Sequence, residues 1–162
     1  MKIGIVMGSD SDMPVVKKAT DTLKNLGIPY EVRILSAHRT PDEAKAFAAN
    51  AESNGFGVLI AAAGMAAHLA GALAANTVLP VIGIPCASAH FDGMDALLST
   101  VQMPSGIPVA TVAVDGGANA ALLAAQILAL SDKDISEKLK AKRIADREAV
   151  IKKDKALQEE LK

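Results

Sequence analysis

The richest chemistry in this chain sits in short polar segments that follow apolar runs. Ser36-Ala37-His38-Arg39-Thr40-Pro41 comes directly after the run Tyr30–Leu35 and brings a hydroxyl, an imidazole and a guanidinium within four residues. A guanidinium can grip a phosphate or carboxylate with two parallel hydrogen bonds, and a neutral imidazole is the usual general base near neutral pH. Thr40 and Glu43 have capping-box spacing and Pro41 suits a first helical turn. A helix is therefore predicted to start just after Arg39, leaving His38 and Arg39 projecting over the strand end. The plainer reading makes His38 a loop histidine bonded to a backbone carbonyl.

Met7-Gly8-Ser9-Asp10-Ser11-Asp12-Met13-Pro14 follows the β-branched run Ile3–Met7. Helix N-termini expose unpaired N–H groups and a partial positive charge, so such a junction can cradle a phosphate. Gly8 permits close backbone approach, Ser9 and Ser11 add hydroxyls, and Asp12 can accept from sugar hydroxyls. The same residues also fit simple capping by Ser11 or Asp12. The segment has neither the Gly-Lys-Ser/Thr ending of a Walker loop nor the dinucleotide glycine fingerprint.

Ala61–Gly71 (AAAGMAAHLAG) is a third such junction. It reads either as a small-residue loop closing over a flat ligand, or as tight helix packing around a buried, satisfied His68. Cys86 and His90 follow a fourth apolar run, but a lone cysteine after a strand is more often a packed thiol than a nucleophile. The three histidines lack ligand-type spacing, so no metal site is expected.

Positioning these segments requires strands and helices in alternation. Strands are predicted at Ile3–Met7, Tyr30–Leu35, Val58–Ala62, Val81–Ile84 and Val109–Val114. Helices are predicted from about Val15 to Leu26, Pro41 to Asn54, Ala66 to Asn76, Gly93 to Thr100 and Ala118 to Leu130. Alternation of this kind implies a parallel five-stranded α/β sheet with helices on both faces. Ligands of such sheets bind beyond the carboxyl ends of the strands. His38, His68 and His90 all fall there.

The whole chain has 162 residues, 51% hydrophobic and 22% charged, with a net charge of −1 and 2% aromatics. This suits one catalytic α/β domain over residues 1–131. Residues 132–162, which hold about half of the charged side chains, form a C-terminal helical arm of the same domain. A basic face and stacking aromatics are missing, which argues against nucleic-acid binding. No apolar run reaches membrane-spanning length and one cysteine permits no internal disulfide, so a cytoplasmic location without membrane contact is expected. The excess of small apolar residues suggests that some surface closes only between subunits.

Together MGSDSD, SAHRTPDE, AGMAAHLAG, LPVIGIP, VQMPSGIPVAT and NAALLAAQIL, in this order, resemble the PurE family over about residues 2–131. The resemblance implies a three-layer flavodoxin-like fold, a homo-octamer with sites between subunits and the arm packed on neighbours, and no metal or organic cofactor. It implies an N5-carboxyaminoimidazole ribonucleotide mutase of purine biosynthesis. Ser9, Ser11 and Asp12 would bind the ribose phosphate end, with Asp12 on the sugar hydroxyls, and Ser36 and Arg39 would join the phosphate site. His38 would transfer the proton, and His68 would sit in the loop closing over the imidazole, making these the catalytic pair. Gly8, Ala37, Ala63, Gly64, Met65, Ala66 and Leu69 would complete the substrate-binding set. Two positions depart from the pattern: Met65 stands where members often have Gly, and Ala70 where they often have Pro. The segment VDGGANAALL is also shorter than usual before its Asn. A second branch of the family carboxylates aminoimidazole ribonucleotide directly; it carries Lys at the place of Arg39 and lacks the AAHL of His68. A flavodoxin-like nucleotide-binding module without chemistry is the remaining alternative.

Overall fold

The computed structural model describes residues 1–161. Side chains alternate along the first strand, β1 (Lys2–Met7): Ile3, Ile5 and Met7 enter one buried cluster and Val6 the other, as the twofold period of a strand requires. The other strands are β2 (Tyr30–Ile34), β3 (Phe56–Gly64), β4 (Val81–Cys86) and β5 (Ala110–Thr111). All pair in parallel, in the order β2-β1-β3-β4-β5. Parallel neighbours need crossover connections, and helices supply them.

One face of the sheet carries α1 (Met13–Leu26) and α5 (Gly117–Ala129), whose Val16, Ala19, Leu23, Ala120 and Ala124 are fully buried against it. The other face carries α2 (Pro41–Ala49), α3 (Leu69–Ala74) and α4 (Met94–Val101). Small residues set the layer spacing. A Cβ on Gly83 of β4 would collide with Thr100 of α4, and one on Gly117 would collide with the Val15 carbonyl where α5 crosses α1.

Several boundaries differ from expectation, each for a local reason. α2 ends at Ala49 rather than Asn54, because the Asn50 side chain donates to the Ala46 carbonyl (2.8 Å) and the chain turns through Gly55 at φ 78°. α3 begins at Leu69 rather than Ala66, because Met65 adopts φ 55° and its carbonyl accepts from Ala67 N–H (2.9 Å). β5 keeps only two residues, although Val112 still donates to Gly83 and Asp115 to Pro85. The shortness of β5 lets Pro85, which has no N–H, sit near the end of an interior strand.

A last helix, α6 (Lys133–Glu160), starts at the Asp132 cap and touches α5 and α1 through Ile135 and Leu139. From Arg143 to Leu161 every described residue is exposed. None of the helices among the described residues is long and apolar enough to cross a membrane.

Candidate active site

The carboxyl ends of β1, β2, β3 and β4 open onto one cleft of about 540 Å³. It lies between β1 and β3, whose outgoing connections run to β2 on one side and to β4 on the other, the switch point at which such sheets bind ligands. All fourteen residues singled out from the sequence line it, contributed by different loops. A larger groove of about 920 Å³ opens at the opposite end of the sheet, but Glu52 is the one ionisable residue in its lining.

The loop after β1 is shaped by a tight 3-10 turn, Asp10–Asp12. Ser9, rather than Ser11 or Asp12, is its cap: Ser9 Oγ accepts from Ser11 N–H (3.3 Å), and Asp12 Oδ2 accepts from Ser9 N–H (3.2 Å). Asp12 makes no capping bond to α1. Its carboxyl is pushed above its ordinary value of 3.8, chiefly by burial. The Ser9 N–H and the Cys86 thiol oppose that rise, and the charges of Asp10 and Asp115 add to it.

The loop after β2 is a closed turn. Thr40 does not cap α2 with its side chain. Instead its hydroxyl accepts from Ser36 N–H (2.8 Å) and donates to the Ser36 carbonyl (3.1 Å). Both bonds join Ser36 to Thr40, so the hydroxyl locks the turn. Ser36 Oγ in turn accepts from the Arg39 backbone N–H (3.1 Å), and Arg39 Nη2 donates to the Gly8 carbonyl (3.0 Å). The guanidinium therefore bridges the β1 and β2 loops, with further N–H donors free for an anion.

His38 and His68 face each other with ring centroids 5.3 Å apart, tilted by 46°. Both are exposed to the cleft. The buried, satisfied His68 allowed by the sequence is not what forms, and the backbone-bonded His38 does not form either. No protein hydrogen bond to either ring occurs among the described residues. The chain from the end of β3 towards His68 runs through Ala63, Gly64, Met65 and Ala66, all of which line the cleft. Leu69 is buried beneath it.

Cys86 is packed rather than reactive: it is 3% exposed, and burial, together with the charges of Asp12 and Asp115, pushes its thiol up to about 12. His90 is exposed and lies outside the cleft. Two lining residues, Ala87 and Ser88, were missed in the sequence because nothing in their chemistry advertised them. The sole signal was their place directly after a strand. Among the described residues there is no cluster of three or more His, Cys, Asp or Glu arranged for a metal.

The sheet order and the cleft define a flavodoxin-like α/β protein with a cleft at its switch point, lined by Arg39, His38 and His68. The chain belongs to the AIR carboxylase family, which matches residues 2–149. It is 54% identical to an N5-carboxyaminoimidazole ribonucleotide mutase of Pyrococcus horikoshii, over 97% of this chain and 89% of that protein. It is also 46% identical to the chloroplastic phosphoribosylaminoimidazole carboxylase of Vigna aconitifolia, over 96% of this chain but 28% of that protein. Among solved structures, Treponema denticola PurE superimposes with a TM-score of 0.85 at 35% identity, covering 96% of this chain and 97% of that one.

Proposed function

We propose that this chain is an N5-carboxyaminoimidazole ribonucleotide mutase, moving the carboxylate from the exocyclic nitrogen to C4 of the imidazole. The observation that carries the reading is the paired His38 and His68 rings, 5.3 Å apart, beside an Arg39 that bridges two loops at the strand ends. Arg39, Ser9 and Ser36 anchor the phosphate, with Ser11 and Gly8 completing that end, and Asp12 accepts from the sugar hydroxyls. The imidazole then lies towards the two histidines, under the Ala63–Ala66 loop and against Ala37 and Leu69.

In the reaction the N–C bond to the carboxyl group breaks, its electrons return to the exocyclic nitrogen, and a protonated His38 gives that nitrogen its proton. The released carbon dioxide stays in the closed cleft. The enamine-like C4 attacks it, and His38 takes the proton that C4 sheds. Remote phosphate binding supplies the positioning for this transfer, which is why the anion site and the histidines must share one cleft.

The same reading includes a homo-octamer with sites between subunits and the arm packed on neighbours. Its support is apolar surface left uncovered: Phe91 just before α4, and Met94, Leu98 and Val101 along it, are 67%, 55%, 52% and 47% exposed. A cytoplasmic location goes with it, supported by a single free cysteine that calls for no oxidising compartment.

Direct carboxylation of aminoimidazole ribonucleotide is the second reading, favoured by the likeness to the Vigna carboxylase. The test offers the purified protein N5-carboxyaminoimidazole ribonucleotide, and separately aminoimidazole ribonucleotide with dilute bicarbonate, following the absorbance of the C4-carboxylated product. Product from the first alone is expected. Efficient product from the second would make it a carboxylase, and no product from either would leave a binding module.

A further inference from the structure

Asp115 belongs to none of the loops discussed so far, yet it holds one wall of the cleft. It follows the short β5 and adopts φ 56°, one of three non-glycine residues with positive φ among the described residues. Its backbone N–H donates to the Pro85 carbonyl (2.9 Å), and its Oδ1 accepts from the Ala87 N–H (3.0 Å). It thus grips β4 on both sides of Cys86. No other hydrogen bond among the described residues ties residues 87–90 to another element. Ala87 and Ser88 line the cleft, as does Asp12, and Cys86 lies buried between the two grips with its thiol donating to the Ile84 carbonyl (3.7 Å).

We propose that Asp115 is a positioning residue of this site, fixing the Pro85–Ser88 end of β4 as the wall against which Asp12 and the sugar end of the ligand are set. The inference rests on the ribonucleotide reading above and extends it to a residue that touches no substrate. A hydrogen bond to a carboxylate is stronger than one between neutral groups, so the side chain is well suited to hold an otherwise untethered segment. Its charge also reaches both Asp12 and Cys86, which places the clamp within electrostatic range of the sugar site. A left-handed backbone there admits Asp, Asn or Gly and penalises other residues.

Those preferences supply the test. Asp115→Gly keeps the backbone conformation and removes the acceptor, while Asp115→Asn keeps both. Melting temperature, amide exchange at Ala87, affinity for ribose 5-phosphate and steady-state kinetics would be measured on both variants and the wild type. For Asp115→Gly the expected result is an unchanged melting temperature, with Ala87 exchange and KM each raised about tenfold. Ribose 5-phosphate affinity should fall in step, and kcat should stay within about threefold. Asp115→Asn, which keeps the acceptor but not the charge, should lie between wild type and Asp115→Gly in exchange, affinity and KM. Wild-type KM and sugar phosphate affinity in Asp115→Gly would overturn the proposal, whether or not exchange at Ala87 quickens. If the wild type turned over no substrate, the ribonucleotide reading would fail. Exchange at Ala87 and ribose 5-phosphate binding would still decide the role of Asp115, with no change in either sinking it.

Discussion

Asp12 has two demands on it that conflict. In the role proposed for it, it accepts from sugar hydroxyls, which a carboxylate does more strongly than a neutral acid, yet burial raises its carboxyl above the ordinary 3.8. A carboxyl whose folded pKa is raised makes the fold most stable below its unfolded pKa, and that stability is lost as pH rises through the folded value. Asp12→Asn should therefore melt higher than wild type at neutral pH. The difference should shrink as pH falls below the ordinary carboxylate range, while substrate affinity is lost. A variant melting lower than wild type at pH 7 would show that the bonds from Ser9 and Cys86 outweigh burial. His38 gives a complementary expectation. His38→Asn should keep the ligand and lose about 10² to 10⁴ in kcat, the ordinary worth of a placed base. A loss below about tenfold would remove the proton from its role.

The loop between β3 and α3 shows how an element can carry strain for its site. Met65, 60% exposed, takes a left-handed backbone that a side chain makes unfavourable by about 1 kcal/mol. Met65→Gly should gain up to about that much stability in denaturant unfolding, with turnover retained. A loss of stability would mean that the Met side chain holds the loop by packing. Nothing in a methionine signals positive φ, which is why the helix was expected to begin at Ala66. The strands were legible because β-branched runs such as Ile3–Val6 and Val81–Ile84 end abruptly in Gly, Ser or Pro. The α2 boundary was not, since the Ala spacing of 44, 48 and 51 continues past the Asn50 side chain that stops the helix. In the site, residues with distinctive chemistry were legible one by one. Their mutual arrangement came from sheet order, which placed His38 against His68 and left Ala87, Ser88 and Asp115 to the coordinates.

At the scale of the whole molecule, α6 is the feature least explained by one chain. Its 28 residues extend about 42 Å at ordinary helical rise, and beyond Lys142 every described residue is exposed. A chain ending at Lys142 should therefore keep its melting behaviour as a monomer while losing assembly in light scattering. Assembly unchanged by the truncation would assign the subunit contacts to α4 instead. The three non-glycine residues with positive φ among the described residues, Met65, Asp92 and Asp115, all lie in loops beyond the carboxyl ends of strands; of the positive-φ glycines, Gly93 joins them there, whereas Gly27, Gly55 and Gly106 serve the turns at the other end. Selection for heat resistance acting blindly on this sequence would find an easy gain at Met65, the one of the three non-glycine residues that lines the cleft. Thermal hardening would thus begin inside the cleft itself, at a position whose relief leaves turnover intact.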